Sequence, residues 1–187
     1  LLAPFEVARP RPGDAVIVSG ARGAYATDLV VPADALVRRP GNVSAAQGAA
    51  LGIPVGTAYQ TVRSLAVGPE DTVLVHAASG SVGQAVVQFA RLYGATVLGT
   101  TSDRRADRVS ALGATPLPYG PGVVDRVRDL APGGITVAID LVGTDEALDQ
   151  SIALVADKSR IATLVRGADA AGLGIRAFSG GSPQPLT

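Results

Sequence analysis

The apolar positions along this chain follow two regimes, an irregular first third and a regular remainder. Residues 14–19 (DAVIVS) and 24–31 (AYATDLVV) are short apolar stretches joined around Gly20 and Gly23, which predicts two strands and a turn. Pro32 and Pro40-Gly41 punctuate the next segment. Ser44 with Gln47 three residues on is a capping-box pattern and predicts a helix start. Pro54 suits the first turn of another helix running to about Leu65, and Gly68-Pro69 mark a boundary.

Beyond that boundary, TVLVHAA (72–78) is a continuous apolar run, as expected of a strand covered on both faces. Val82, Ala85, Val86, Phe89, Ala90 and Tyr93 then recur at helical spacing and form one apolar stripe. TVLGTT (96–101) predicts a second strand, and 104–112 a helix ended by Gly113. A short strand near 115–119, a helix over 122–130, ITVAID (135–140) as the fourth strand, a helix around 145–155 and a strand at 159–165 complete the alternation. Five strands alternating with four helices predict right-handed βαβ units around a parallel sheet. After Gly167 the chain is rich in Gly, Ala, Ser and Pro, predicting one weak strand near 173–178 and then a loose tail.

Composition narrows the function classes. Hydrophobic residues make up 47% and charged residues 17%, the profile of a folded globular protein. Net charge is zero, which argues against nucleic acid or an anionic membrane as partner. Apolar runs end well short of about 18 residues, so no membrane span is expected. Cysteine is absent and His76 is the single histidine, which leaves no thiolate or imidazole set for zinc. The lack of cysteine fits a reducing compartment, and a cytoplasmic location is expected. Methionine is absent too, so Leu1 is not expected to be the translation start. The sixteen basic residues include a single lysine, Lys158, a bias that suggests a GC-rich bacterial genome.

The candidate chemistry lies in AASGSVG (77–83), between the first strand of the regular region and its long helix. Ala78-x-Gly80-x-x-Gly83 differs by one residue from the dinucleotide fingerprint G-x-G-x-x-G. Gly80 allows backbone approach to a pyrophosphate, Gly83 allows close packing of helix on strand, and the helix N-terminus offers free N–H groups. A ligand-free turn could use the same glycines, but the βαβ units downstream supply the context of a Rossmann domain. At the end of the second strand an NAD site would place Asp or Glu for the ribose 2′-OH. Thr100, Thr101 and Ser102 stand there instead, followed by Asp103, Arg104 and Arg105, a set suited to the 2′-phosphate of NADPH. Asp103 could equally cap the next helix. His76 reads as a core residue, Asp140 as either a site residue or a loop cap, and Asp157-Lys158 as a solvated turn.

In order along the chain, GAYA (23–26), VVPAD (30–34), AALGIPVGTAYQ (49–60), VLVHAASGSVG (73–83), LGAT (112–115), Tyr119 and IDLVG (139–143) resemble the zinc-independent medium-chain dehydrogenases/reductases of the quinone-oxidoreductase (zeta-crystallin-like) type. The resemblance implies an α/β fold: a doubly wound parallel sheet with helices on both faces, preceded by the tail of a GroES-like β domain. It implies a GroES-like part over 1–43, bridging helices over 44–68 and a cofactor domain from 69 to 187, incomplete at its end, so the sequence is expected to be an interior piece of a longer protein. The implied cofactor is NADPH. Thr57 matches a residue near the nicotinamide. Ser79, Gly80, Ser81, Val82 and Gly83 match the pyrophosphate loop, and Ser81 replaces the family's second glycine. Thr101, Ser102, Arg104, Arg105 and Tyr119 match the surroundings of the 2′-phosphate, and Leu141 and Val142 those of the nicotinamide ribose. The implied reaction is hydride transfer to a quinone or enone, and a homodimer is compatible with it. Thr57 and Tyr59 are near enough in the family arrangement to be considered as proton donors, with a structural role favoured for Tyr59, and no catalytic residue is assigned. Two alternatives stand beside this reading: an enoyl-reductase module of a polyketide or fatty-acid synthase, and a non-catalytic NADPH-binding sensor.

Overall fold

A computed structural model describes residues 9–178, so the expectations for the first eight residues and for the loose tail lie outside the described residues. The chain divides into two compact units between Ile53 and Pro54.

In the first unit, β1 (Val16–Val18) pairs antiparallel with β2 (Leu36–Arg38), Val16 opposite Arg38. The strand expected at 24–31 does not form. Tyr25 and Val30 are wholly exposed there, so a strand would have no buried face to stabilise it. The partner strand forms later, directly after a 3₁₀ turn at Ala33–Ala35. Helix α1 (Ala45–Ala50) starts as its capping box predicts, with Ser44 Oγ accepting from the Gln47 amide at 3.1 Å and Gln47 Oε1 accepting from the Ser44 amide at 2.9 Å. Gly48 is buried against β1, where a Cβ would stand 3.1 Å from Ile17. The helix pair expected to bridge at 44–68 is thus shared, α1 lying in the first unit and nearly all of α2 (Gly52–Ser64) in the second.

The second unit is built on a parallel sheet of six strands among the described residues: β3 (Thr72–Val75), β4 (Thr96–Thr101), β5 (Thr115–Pro118), β6 (Val137–Asp140), β7 (Ile161–Thr163) and β8 (Arg176–Ala177). Their spatial order is β5-β4-β3-β6-β7-β8, so strand order reverses between β3 and β6. Helices α3 (Ser81–Leu92), α4 (Ala106–Ala111), α5 (Val123–Leu130), α6 (Asp145–Leu154) and α7 (Gly167–Leu173) connect them. Successive strand residues serve opposite faces, which explains the uninterrupted apolar runs. Val73, Val75, Val97 and Ile139 pack with Ala58 and Val62 of α2 and Val86 and Ala90 of α3. Leu74, Leu98, Ala138 and Ile161 pack with Val123 and Val127 of α5 and Leu148 of α6. This is the doubly wound α/β fold that the alternation predicts.

Three local expectations change. β3 stops at Val75 rather than 78, because Ala77 turns the chain with a left-handed φ of +58°. The helix expected from 104 begins with a 3₁₀ turn at Asp103–Arg105, and Asp103 caps nothing: Ser102 occupies the cap position and makes no side-chain cap bond. Helix α7 forms where only a weak strand was expected; its alanines favour it and Gly174, at φ +72°, ends it. The weak strand comes directly after it, as β8.

At the amino edge of the sheet, Asp71 gathers three connections. Its carboxylate accepts from the Thr136 hydroxyl at 2.7 Å, the Gly68 amide at 2.8 Å and Arg160 at 2.7 Å. Burial alone would raise the Asp71 pKa, but the bonds from Thr136, Gly68 and Arg160 outweigh it and hold the pKa below the ordinary carboxylate value. The loops of the carboxyl edge are thereby carried on a sheet anchored at its other end.

Candidate functional site

The turn after β3 is the structural centre of the carboxyl edge. Left-handed Ala77 donates its amide to Thr100 Oγ1 at 3.1 Å, and its carbonyl accepts from the Gly80 amide at 2.9 Å. Ala78 donates to the Thr100 carbonyl at 3.0 Å, so Thr100, 1% exposed, holds both residues of the turn. Gly83 admits no side chain: a Cβ there would lie 2.3 Å from the Ala77 oxygen and 2.8 Å from Ala78 Cα. Gly80 differs. Its φ of −72° is open to any residue and its nearest neighbour, the Ala77 oxygen, would be 3.3 Å from a Cβ, a tight contact that a small shift relieves, so the fold resists a side chain here far less than at Gly83. Ala78, which replaces the first glycine of the fingerprint, is accommodated by Gly99 on β4, where a Cβ would come within 2.5 Å of the Ala78 methyl. Ser81 does not have a positive φ, so the replacement of the family's second glycine is unstrained.

Gly80 is the N-cap of α3, and the amides of Ser81, Val82 and Gly83 open its first turn without intrahelical acceptors. With the helix dipole they make an anion-binding end.

Beside this turn lies a cleft of about 700 Å³. Of the residues expected in the site, Ser79, Thr101, Ser102, Arg104, Arg105, Tyr119 and Val142 line it. Gly80 to Gly83 form the adjoining helix start, whereas Thr57 and Leu141 lie outside the cleft. Thr57 is buried in α2, its Oγ1 lacking a hydrogen-bond partner, and Leu141 packs against the core. Sequence reasoning missed the far wall, where Thr144, Glu146 and Gln150 line the cleft and Gln150 Nε2 donates to Glu146 Oε1 at 3.1 Å. The i,i+4 spacing of Glu146 and Gln150 on a helix starting at the carboxyl edge was the available signal.

Asp140, read as either a site residue or a loop cap, takes the second role. Asp140 is fully buried and does not line the cleft. One carboxylate oxygen accepts from the Val142 and Gly143 amides, each at 2.9 Å, and the other from the Thr163 hydroxyl at 2.7 Å. Thr163 Oγ1 accepts in turn from the Val165 and Arg166 amides at 3.2 and 3.0 Å, so Asp140 ties together the loops after β6 and β7. His76 is buried, as expected of a core residue, although it also reaches the floor of the cleft. Its Nε2 lies 3.1 Å from Ser151 Oγ, whose proton goes to the Ala147 carbonyl at 2.8 Å, so the ring donates from Nε2. Burial lowers its pKa to about 4, against a partial opposing pull from Asp140, and the imidazole is neutral near pH 7. Tyr59 stacks edge-on against Phe89, ring centroids 5.4 Å apart, which is a packing role. Asp157 caps the turn before β7 through the Ser159 amide at 2.9 Å, and Lys158 reaches the Leu173 carbonyl at 3.2 Å.

Two observations test the fit of a phosphorylated dinucleotide. Thr101 lines the cleft with its Oγ1 buried and without a partner. Arg104 and Arg105 line the same wall and form no ion pair among the described residues, unlike Arg160 and Arg166, which are paired to Asp71 and to Asp145 and Asp169. Free guanidinium groups beside an unsatisfied hydroxyl fit a phosphate. Among the described residues there is no cluster of three His, Cys, Asp or Glu that could hold a metal ion. No described helix is long and apolar enough to cross a membrane.

A βαβ sheet that reverses order beside a glycine turn and a helix N-terminus defines a dinucleotide-binding domain of the Rossmann type. Residues 81–175 match the family described as zinc-binding dehydrogenase, and the chain belongs to this family, within the medium-chain dehydrogenase/reductase superfamily and of the quinone-oxidoreductase type. It is 38% identical over 139 residues to the quinone oxidoreductase-like protein 2 homolog of Nematostella vectensis, covering 71% of this chain and 38% of that protein. It is 33% identical over 193 residues to the pikromycin polyketide synthase component PikAII of Streptomyces venezuelae, covering 93% of this chain and 5% of that protein. Among solved structures, a mycobacterial protein complexed with NADPH is 26% identical with a TM-score of 0.66, over 80% of this chain and 51% of that one. The chain therefore spans about half or less of these relatives.

Proposed function

We propose that the protein is an NADPH-dependent reductase that acts on a small quinone or an electron-poor C=C substrate. The observation that carries this reading is the wall formed by Thr101, Ser102, Arg104 and Arg105, where unpaired cations and hydroxyls stand in place of the carboxylate an NAD site would use. The amides opening α3 would hold the pyrophosphate. The loop pinned by Asp140 presents Val142 to the cleft, and Thr100 fixes the glycine turn. Bound NADPH supplies the hydride, and one proton from solvent completes reduction of a quinone to a hydroquinone. The chain's own contribution is binding and orientation. The test is NADPH and NADH oxidation followed at 340 nm with quinone and enone substrates. Faster turnover with NADPH is expected, and turnover with NADH alone refutes the cofactor assignment.

A second reading is favoured by the polyketide synthase match, which extends over 93% of this chain. In that case the acceptor is an enoyl group on a carrier protein. Reduction of an enoyl thioester without activity on quinones would select it. NADPH binding without oxidation by either substrate class would select a sensor.

A further inference from the structure

We propose that Arg126 is a positioning residue for cofactor selectivity, fixing the loop that presents Tyr119 at the rim of the cleft. The role rests on the NADPH reading above, and it matters because little else holds this loop. Tyr119 is 68% exposed, so packing does not fix its ring. Gly120 and Gly122 have φ of +97° and +78°, and the Tyr119 amide reaches the Thr101 carbonyl only at 3.4 Å. Tyr119 and Gly120 nevertheless form cleft wall beside Arg104 and Arg105.

Arg126 supplies the missing restraint. From α5 its Nη2 donates to the Pro118 carbonyl and its Nη1 to the Pro121 carbonyl, both at 2.9 Å, bracketing Tyr119 and Gly120. A planar guanidinium fork can span two carbonyls in a fixed geometry, which an ammonium cannot. The clamp carries a local cost, since Arg126 Nε is buried without a partner. Arg126 is the fourth of the eight residues of α5, beyond the turn on which the helix dipole acts, so its charge does little for the helix itself. The bracketed loop explains it.

The test is a double-mutant cycle read by calorimetric titration of NADPH and of NADH. Arg126→Gln should weaken NADPH about 5- to 10-fold, the equivalent of roughly one lost hydrogen bond, while NADH changes little. Tyr119→Ala should do the same, and the double variant should lose no more than Tyr119→Ala alone. Arg126→Lys keeps the side-chain stem and charge and should show the same selective loss, which covers the case of a Gln variant that does not fold. Equal losses for NADPH and NADH, or additive losses in the double variant, overturn the proposal. A wild type that binds both cofactors alike refutes the NADPH reading itself, and this inference with it.

Discussion

Two glycines three residues apart should fail in opposite ways. At Gly83 even alanine places a Cβ 2.3 Å from the Ala77 oxygen, about an ångström inside ordinary contact, against backbone that cannot swing aside. Helix α3 must shift off β3, an overpacking lesion of about 1–3 kcal/mol. At about 3 °C per kcal/mol for a chain of this size, Gly83→Ala should lower the cofactor-free melting temperature by about 3–9 °C. At Gly80 the backbone is unstrained and a Cβ meets only a tight 3.3 Å contact with the Ala77 oxygen, so Gly80→Val, which also makes a poorer N-cap, should cost up to about 1 kcal/mol, or about 3 °C of melting temperature. The difference emerges with NADPH. At a hundred times its Kd the ligand should stabilise wild type by about 2.7 kcal/mol, or about 8 °C. Gly80→Val should gain nothing, because its side chain occupies ligand space. Melts of the three proteins with and without NADPH decide the matter. A Gly80→Val protein that keeps the full NADPH shift refutes the placement of the pyrophosphate on this loop.

Replacing Arg104 and Arg105 with Ala should weaken NADPH by about 1.5–3 kcal/mol per lost charge-assisted bond and spare NADH, as fluorescence titration would show; equal losses would exclude a 2′-phosphate contact. His76 carries a pH signature. Its native pKa is about 4, so between the ordinary value of 6.5 and pH 4 the unfolded chain takes up a proton that the native chain refuses. Stability should decline as pH falls through that window, by about 3 kcal/mol at its foot, and His76→Gln should flatten this limb of the melting profile; an unchanged slope counts against it. Asp71→Asn breaks a partly buried network and should cost about 1–3 kcal/mol in urea unfolding without altering NADPH affinity. Exhaustive chelation should leave turnover intact, and activity lost and then restored by zinc would contradict the metal-free reading.

Where burial decides structure, the pattern of residues was legible. The runs at β3, β4 and β6 and the stripe on α3 were readable because a strand covered on two faces and a helix covered on one leave distinct periods. The segment 24–31 misled because apolar residues suggest a strand only if something covers them, and Tyr25 and Val30 are bare. Helix α7 was hidden by its glycines, whose low helix propensity masks the alanines between them. In the site, the structure places the hydroxyls and the arginines along one cleft beside the glycine turn. Long-range partnerships were not legible, since nothing near Asp140 in the sequence announces Thr163, and nothing near Arg126 announces its grip on Pro118. Such bonds depend on which loops the topology brings side by side.

Ala77 sets a limit on how this protein can be improved. Its left-handed backbone costs about 1–2 kcal/mol that glycine would not incur, so Ala77→Gly is an easy route to a better-relaxed turn. Yet alanine narrows the backbone freedom of the turn as glycine would not, while the amide and carbonyl bonds to Thr100 and Gly80 belong to the main chain and are common to both residues. Relaxing it would move the ordering cost from folding to binding. Selection for heat resistance alone should therefore drift toward glycine at this position and lose cofactor affinity as it does so, whereas selection for turnover should hold the alanine in place.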